Sequence, residues 1–164
     1  MSKSAENLKE AFAGESQANR KYLAFAKKAD QEGFAQVAKL FRAAAEAETV
    51  HAHNHLRQLG GIRTTKENLE EAVNGEVFEF QKMYPAMIDA AKAEGDKGAE
   101  TTFTYANEVE KIHAALYKKA ADTLGKNAAT DYYVCQGCGN TVEGQAPDKC
   151  PICGAPKASF KKID

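Results

Sequence analysis

Glu48-Thr49-Val50-His51 and Glu110-Lys111-Ile112-His113 are the residues of this 164-residue chain best placed to do chemistry. Both segments read Glu-x-x-His, a spacing that sets the two side chains on one helix face, one turn apart. A single glutamate precedes each pair at a matching distance, Glu15 by 33 residues before Glu48 and Glu76 by 34 before Glu110. All four cysteines fall near the other end, as Cys135-Gln136-Gly137-Cys138 and Cys150-Pro151-Ile152-Cys153 with 11 residues between the knuckles. Carboxylates with two imidazoles suit iron or manganese, whereas four thiolates suit zinc or iron.

Helices must carry the carboxylates, because the apolar seams advance in steps of three and four. One seam runs Leu8, Phe12, Glu15, Asn19, Tyr22, Ala26 and stops before Gly33; a second runs Val37, Phe41, Ala44, Glu48, His51, His55 and ends at Gly60-Gly61. Thr64 and Thr65 offer an N-cap for a third helix, with the seam Leu69, Ala72, Glu76, Glu79, Met83, Ala86, Ala90, in which Pro85 predicts a kink. After Gly95 and Gly98 a fourth runs Phe103, Ala106, Glu110, His113, Tyr117, Ala120, Leu124. Each stripe therefore has acid in its middle, where bundle helices approach most closely. Burying a lone carboxylate costs several kcal/mol or more, on the order of what only pairing or protonation relieves. No inward Lys or Arg faces these five glutamates and two histidines, so cations are the natural partner. The repeat reproduces the di-iron carboxylate constellation of ferritin-like bundles. Glu46, Glu100, Glu108 and His53 fall off the seams and are expected in solvent, while His55 is expected behind the ligands or at a polar end of the bundle.

The cysteine segment is of a different kind. Gly125 to Thr130 is small and polar and reads as a tether; the remaining stretch is too short for a core and needs metal or disulfides. Two Cys-x-x-Cys knuckles in a reducing compartment read as one tetrahedral site, structural if zinc and a one-electron carrier if iron. The expected division is a four-helix bundle over residues 1–125, a linker over 126–131 and a four-cysteine metal module over 132–164.

Composition narrows the function. Lys+Arg is 22 against Asp+Glu 23, a net charge of −1, which argues against nucleic-acid or anionic-membrane binding. At 43% apolar and 27% charged the chain is ordinary globular protein, and no apolar run reaches a membrane span of about 18 residues. MSKSAENLKE lacks the basic-then-apolar layout of a signal peptide, so the expected location is the cytoplasm.

Taken together these segments resemble rubrerythrin. Ala13-Gly14-Glu15-Ser16-Gln17-Ala18 with Tyr22 is similar to the first-helix signature, and the two Glu-x-x-His pairs to the ligand pairs. Asn74-Gly75-Glu76-Val77-Phe78-Glu79 running to Met83-Tyr84-Pro85 is similar to the third-helix signature, and Cys135–Cys153 to the rubredoxin domain. The resemblance implies a peroxidase of oxidative-stress defence, reducing hydrogen peroxide to water at a di-iron site re-reduced through an iron–tetrathiolate centre, where recombinant protein can carry zinc. It implies that Glu48 and Glu110 bridge the irons, that Glu15 serves one and that Glu76 and His113 serve the other. Glu79 and His51 become alternative ligands on the first iron, imidazole when reduced and carboxylate when oxidised. Tyr22 and Tyr84 become hydrogen-bond donors to the ligand carboxylates. The electron donor must be another protein, a reductase or a rubredoxin, since no Rossmann glycine fingerprint exists here. Iron storage, a zinc ribbon with a structural role and oxygenase chemistry are the competing readings.

Connector length bears on assembly. In a ferritin-like bundle the second and third helices run parallel. The second descends about 10 Å past His51 and the third starts about 16 Å above Glu76, at about 1.5 Å per residue. A connector of about seven residues reaches at most about 25 Å. The expected assembly is a helix-swapped homodimer, in which Glu15, Glu48 and His51 of one chain meet Glu76, Glu79, Glu110 and His113 of the other. The alternative is a hairpin with antiparallel second and third helices.

Overall fold

A computed structural model describes residues 2–164, and the chain divides into two compact units, Met1–Arg63 and Thr64–Asp164. The first is a helical hairpin of α1 (Lys3–Gln31) and α2 (Ala35–Gln58). Gly33 turns the corner with φ +82°, a conformation open to glycine at little cost, and Arg42 reaches back to Asp30 at 2.7 Å. Ala26, Ala29, Ala38, Ala45 and Ala52 are the buried apolar residues of the hairpin, small enough to let the two backbones close together. Asn19 uses that closeness, its amide donating to the Ala45 carbonyl at 2.7 Å and to Thr49 Oγ1 at 2.9 Å. Several larger apolar side chains stay outside, with Leu40 67% and Phe34 58% exposed, while Leu8, Phe12, Phe41 and Leu56 are half-buried.

The second unit begins at a capping box. Thr64 accepts from the Glu67 amide while the Glu67 carboxylate accepts from the Thr64 amide, opening α3 (Thr65–Phe78). Thr64→Ala should cost about 1 kcal/mol, lowering the thermal midpoint by about 2–4 °C in a circular-dichroism melt. Past Phe78 the helix widens into a π turn over Glu79–Met83 and resumes as α4 (Tyr84–Glu94). The kink expected at Pro85 is thus taken up by the π turn ahead of it, whose wider ring tolerates the missing amide and the bulk of the pyrrolidine. α5 (Lys97–Asp122) starts earlier than its glycines suggest, because Asp96 caps it by accepting from the Ala99 amide at 2.9 Å and Gly98 falls inside the helix. Both α3 and α4 lie against α5.

After α5 the tether is pinned rather than loose, with the Asn127 amide donating to the Ala120 carbonyl at 3.1 Å and to Thr123 Oγ1 at 2.9 Å. A three-stranded antiparallel sheet follows in the order β2-β1-β3, from β1 (Tyr132–Cys135), β2 (Thr141–Glu143) and β3 (Phe160–Ile163). Its apolar interior is sparse: Cys135, Ala146 and Cys150 are buried, with Asn140 wholly enclosed beside them. The sheet is fastened to α5 within this unit, through Lys119 to Glu143 at 2.6 Å and through His113 to Thr141 at 2.9 Å. Among the described residues no helix is long and apolar enough to cross a membrane.

Candidate metal centres

Helical periodicity brings Glu15 of α1 opposite Glu48 and His51 of α2, and ligand atoms of all three lie within 4.8 Å of one another. His51 Nδ1 stands 2.8 Å from Glu48 Oε2, so the i,i+3 spacing does what the sequence requires of it. Glu48 is half-buried and His51 is exposed, which leaves this cluster open on one side.

A matching cluster occupies the second unit. Glu76 of α3 faces Glu110 and His113 of α5, again with ligand atoms within 4.8 Å of one another. His113 Nδ1 lies 2.7 Å from Glu110 Oε2 and 3.8 Å from Glu76 Oε1. Burial pushes the Glu76 carboxyl above its ordinary value; the Glu110 carboxylate adds to this and His113 opposes it. Glu79, first residue of the π turn, lies outside the tight cluster, yet burial and the Glu76 charge raise it while His113 draws it down. Tyr84 is raised by burial and then by Glu110, Glu79 and Glu76, so its hydroxyl keeps its proton beside three carboxylates. Glu76 and Glu79, raised by burial and then by neighbouring negative charge, mark a site short of positive charge, which divalent cations would supply.

Tyr22 sits elsewhere in character. It is half-buried among rings, with centroids 6.4 Å from Phe25 and 6.2 Å from Phe41. Of the acids expected in solvent, Glu46 and Glu108 are exposed, while Glu100 is half-buried and paired with Lys97 at 2.9 Å; His53 is exposed and His55 half-buried.

The four cysteines converge on one point. Sγ atoms of Cys135 and Cys153, and of Cys138 and Cys150, are each 3.6 Å apart, far beyond a disulfide bond. A regular tetrahedron with that edge has a centre about 2.2 Å from each corner, close to a metal–thiolate bond. Gly139 (φ +84°) and Gly154 (φ +76°) follow the two knuckles and let backbone amides turn toward sulfur. Burial works against the Cys150 thiolate, but amides of Cys153 and Ile152 and the neighbouring thiols outweigh it, bringing the thiol down to about 6. Sequence reasoning missed Asn140, whose side-chain amide donates to Cys150 Sγ at 3.6 Å from a fully buried position. Hydrogen bonds to sulfur are a lever on the potential of such a centre.

Comparison with known proteins agrees with this geometry. A family model described as rubrerythrin matches residues 6–121, and one described as the rubredoxin-like domain of rubrerythrin matches residues 133–161. The chain is 35% identical to rubrerythrin-2 of Clostridium acetobutylicum, over 96% of this chain and 95% of that protein. It is 37% identical to nigerythrin of Nitratidesulfovibrio vulgaris, over 94% of this chain and 84% of that protein. A solved structure of nigerythrin in a mixed-valent state superposes with a TM-score of 0.60 at 35% identity, covering 99% of this chain and 88% of the other. The architecture is ferritin-like plus rubredoxin-like, the carboxylate–histidine clusters are candidates for a di-iron site, and related proteins of this kind are oxidoreductases. With two carboxylate–histidine clusters and a tetrathiolate site in one mainly helical chain, the protein belongs to the rubrerythrin family.

Proposed function

We propose that this protein reduces hydrogen peroxide to water in defence against oxidative stress, with electrons relayed through the tetrathiolate centre to a di-iron carboxylate site. The observation that carries this reading is the pair of matching Glu, Glu, His clusters, one of them hydrogen-bonded to the module that holds the cysteines. Storage of iron needs no such electron module.

Glu48 and Glu110 would be shared by the two irons, Glu15 would serve one of them, and Glu76 and His113 would serve the other. His51 and Glu79 would be alternative ligands to the first iron, since an anion gains more than a neutral ring as metal charge rises. Irons held there would supply the two electrons that peroxide reduction needs, and an iron held by Cys135, Cys138, Cys150 and Cys153 would supply their replacement. The chain's own residues manage protons and position. Tyr84 keeps its phenolic proton beside Glu76, Glu79 and Glu110 and so donates a hydrogen bond rather than competing as an anion. Tyr22 is assigned the same office on the other side, fixed by Phe25 and Phe41. The electron source is another protein, a reductase or a rubredoxin.

Assembly follows from the connector and from the hairpin. Between Gln58 and Thr65 the chain has six residues, and Gly60 (φ +67°) with the Gly61 amide bonded to the Leu56 carbonyl at 3.0 Å spends two of them closing α2. The remainder falls short of the roughly 26 Å climb that a parallel second and third helix demand. A hairpin whose buried apolar residues are alanines also lacks the area that stabilises a fold, at about 25 cal/mol per Å². We therefore propose a helix-swapped homodimer, each di-iron site combining Glu15, Glu48 and His51 of one protomer with the α3–α5 residues of its partner. In that assembly residues 1–125 form the bundle, 126–131 the linker and 132–164 the rubredoxin-like domain.

Stopped-flow absorption of the anaerobically reduced, iron-loaded protein tests the activity. One equivalent of peroxide per di-iron site should oxidise that site rapidly and then bring up the colour of the oxidised iron–tetrathiolate centre. Slow reaction with peroxide but fast reaction with oxygen would replace this reading with ferroxidase chemistry.

A further inference from the structure

The contact between His113 and Thr141 has a direction. Thr141 Oγ1 lies 2.9 Å from His113 Nε2 and 3.1 Å from the Gly139 carbonyl oxygen. A carbonyl only accepts, so the hydroxyl proton points to Gly139 and the hydroxyl oxygen accepts from Nε2–H. The imidazole thereby carries a proton on Nε2. Nδ1, 2.7 Å from Glu110 and 3.8 Å from Glu76, is the nitrogen left to meet the carboxylates, through a shared proton when the cluster is empty and through its lone pair when metal is bound. Threonine rather than histidine makes the choice of metal-facing nitrogen. The same residue is joined through the backbone to Asn140, whose main-chain N–H donates to Cys138 Sγ. One short run, Cys138 sulfur to Asn140 amide to Thr141 hydroxyl to His113 ring, therefore spans the cysteine module and the carboxylate cluster.

We infer that Thr141 is a positioning residue that holds His113 with Nδ1 toward the carboxylates and ties that ring to the Cys138 knuckle of the same chain. The inference rests on the assignment of His113 as an iron ligand. Partners that orient a ligating histidine are worth about 10–100-fold in metal affinity, which sets the scale of the expected effect.

The test uses the full chain with one equivalent of zinc, which the four thiolates take, leaving the carboxylate cluster open. With further zinc added to fill the carboxylate cluster as well, long-range ¹H–¹⁵N spectra should show His113 bound through Nδ1 with its proton on Nε2 in the wild type and in Thr141→Ser. In Thr141→Val the bound ring should divide between Nδ1 and Nε2 ligation, and zinc should bind the carboxylate cluster about 10–100-fold more weakly. Unchanged absorption of a cobalt-loaded tetrathiolate site serves as the control for folding. If Thr141→Val disturbs it, Thr141→Ala removes the same hydrogen bond without the branched methyl, and the same two readouts decide. An unchanged tautomer and affinity in the valine or alanine variant, or failure of serine to keep both, would overturn the inference. Neither readout involves peroxide, so a wild type that fails to reduce peroxide would strike the proposed function and leave the tautomer result standing.

Discussion

Glu48→Ala and Glu110→Ala should each abolish peroxide reduction alone and restore about a quarter of wild-type activity when co-expressed. The fraction follows from the swap. Random association makes about half of the dimers mixed, and a mixed dimer has one site with both substitutions and one with neither. The intact site pairs the unaltered Glu48 of one protomer with the unaltered Glu110 of the other. If each site drew its ligands from a single chain, every site would lack one bridge and mixing would recover nothing. Separately purified variants should fall at least about a hundredfold, since removing a ligand exceeds the loss from removing a ligand's partner. Differently tagged chains allow the mixed dimer to be isolated, and its iron content should be half that of the wild type at the carboxylate sites with the tetrathiolate sites full. This outcome has the largest leverage because it separates assembly from chemistry: activity without complementation keeps the peroxidase and removes the swap.

Much of the metal chemistry was legible because helices convert spacing into geometry. Glu48 with His51 and Glu110 with His113 sit 2.8 and 2.7 Å apart, as an i,i+3 step on one face demands. Cysteine spacing worked for the same reason, since a knuckle is a local turn whose glycines are readable. What escaped the sequence depends on backbone that periodicity does not encode. The π turn at Glu79–Met83 inserts an extra residue into the third helix just where Glu79 joins the acidic group, and a seam drawn at steps of three and four cannot register it. Thr141 escaped for a different reason: an ordinary strand threonine becomes a partner of His113 only when β2 lies against α5, a tertiary contact between residues 28 apart. Asn140 is similar, a buried amide aimed at sulfur whose own side-chain oxygen finds no partner among the described residues. Alanine-only burial between α1 and α2 could have been anticipated, because Ala38, Ala45 and Ala52 recur at a seven-residue step.

Replacing Cys150 with serine should stop steady-state peroxide reduction while sparing the first turnover. The module has almost no apolar interior apart from Ala146, and the sulfurs of Cys135 and Cys150 occupy the place of a core. Folding of such a module is metal binding, worth on the order of 10–16 kcal/mol for a structural tetrathiolate-type site at neutral pH. Cys150 is the costliest ligand to lose, because the Cys153 and Ile152 amides and the Asn140 side chain all point at its sulfur and would be left without their anion. α1 to α5 hold the carboxylate clusters without help from the sheet, except at His113, whose Nε2–H loses the Thr141 hydroxyl if the sheet melts. The variant should therefore still take up iron at the carboxylate site, more weakly by about tenfold. Reduced chemically beforehand, it should consume one peroxide per di-iron site at close to the wild-type rate and then stall, with catalysis under a continuous reductant supply down by about a hundredfold or more. Rapid-mixing absorption at the two iron chromophores separates the phases. Steady-state turnover at the wild-type rate would mean that electrons reach the carboxylate irons directly from the donor, and the tetrathiolate centre would then be a brace for His113 rather than a relay.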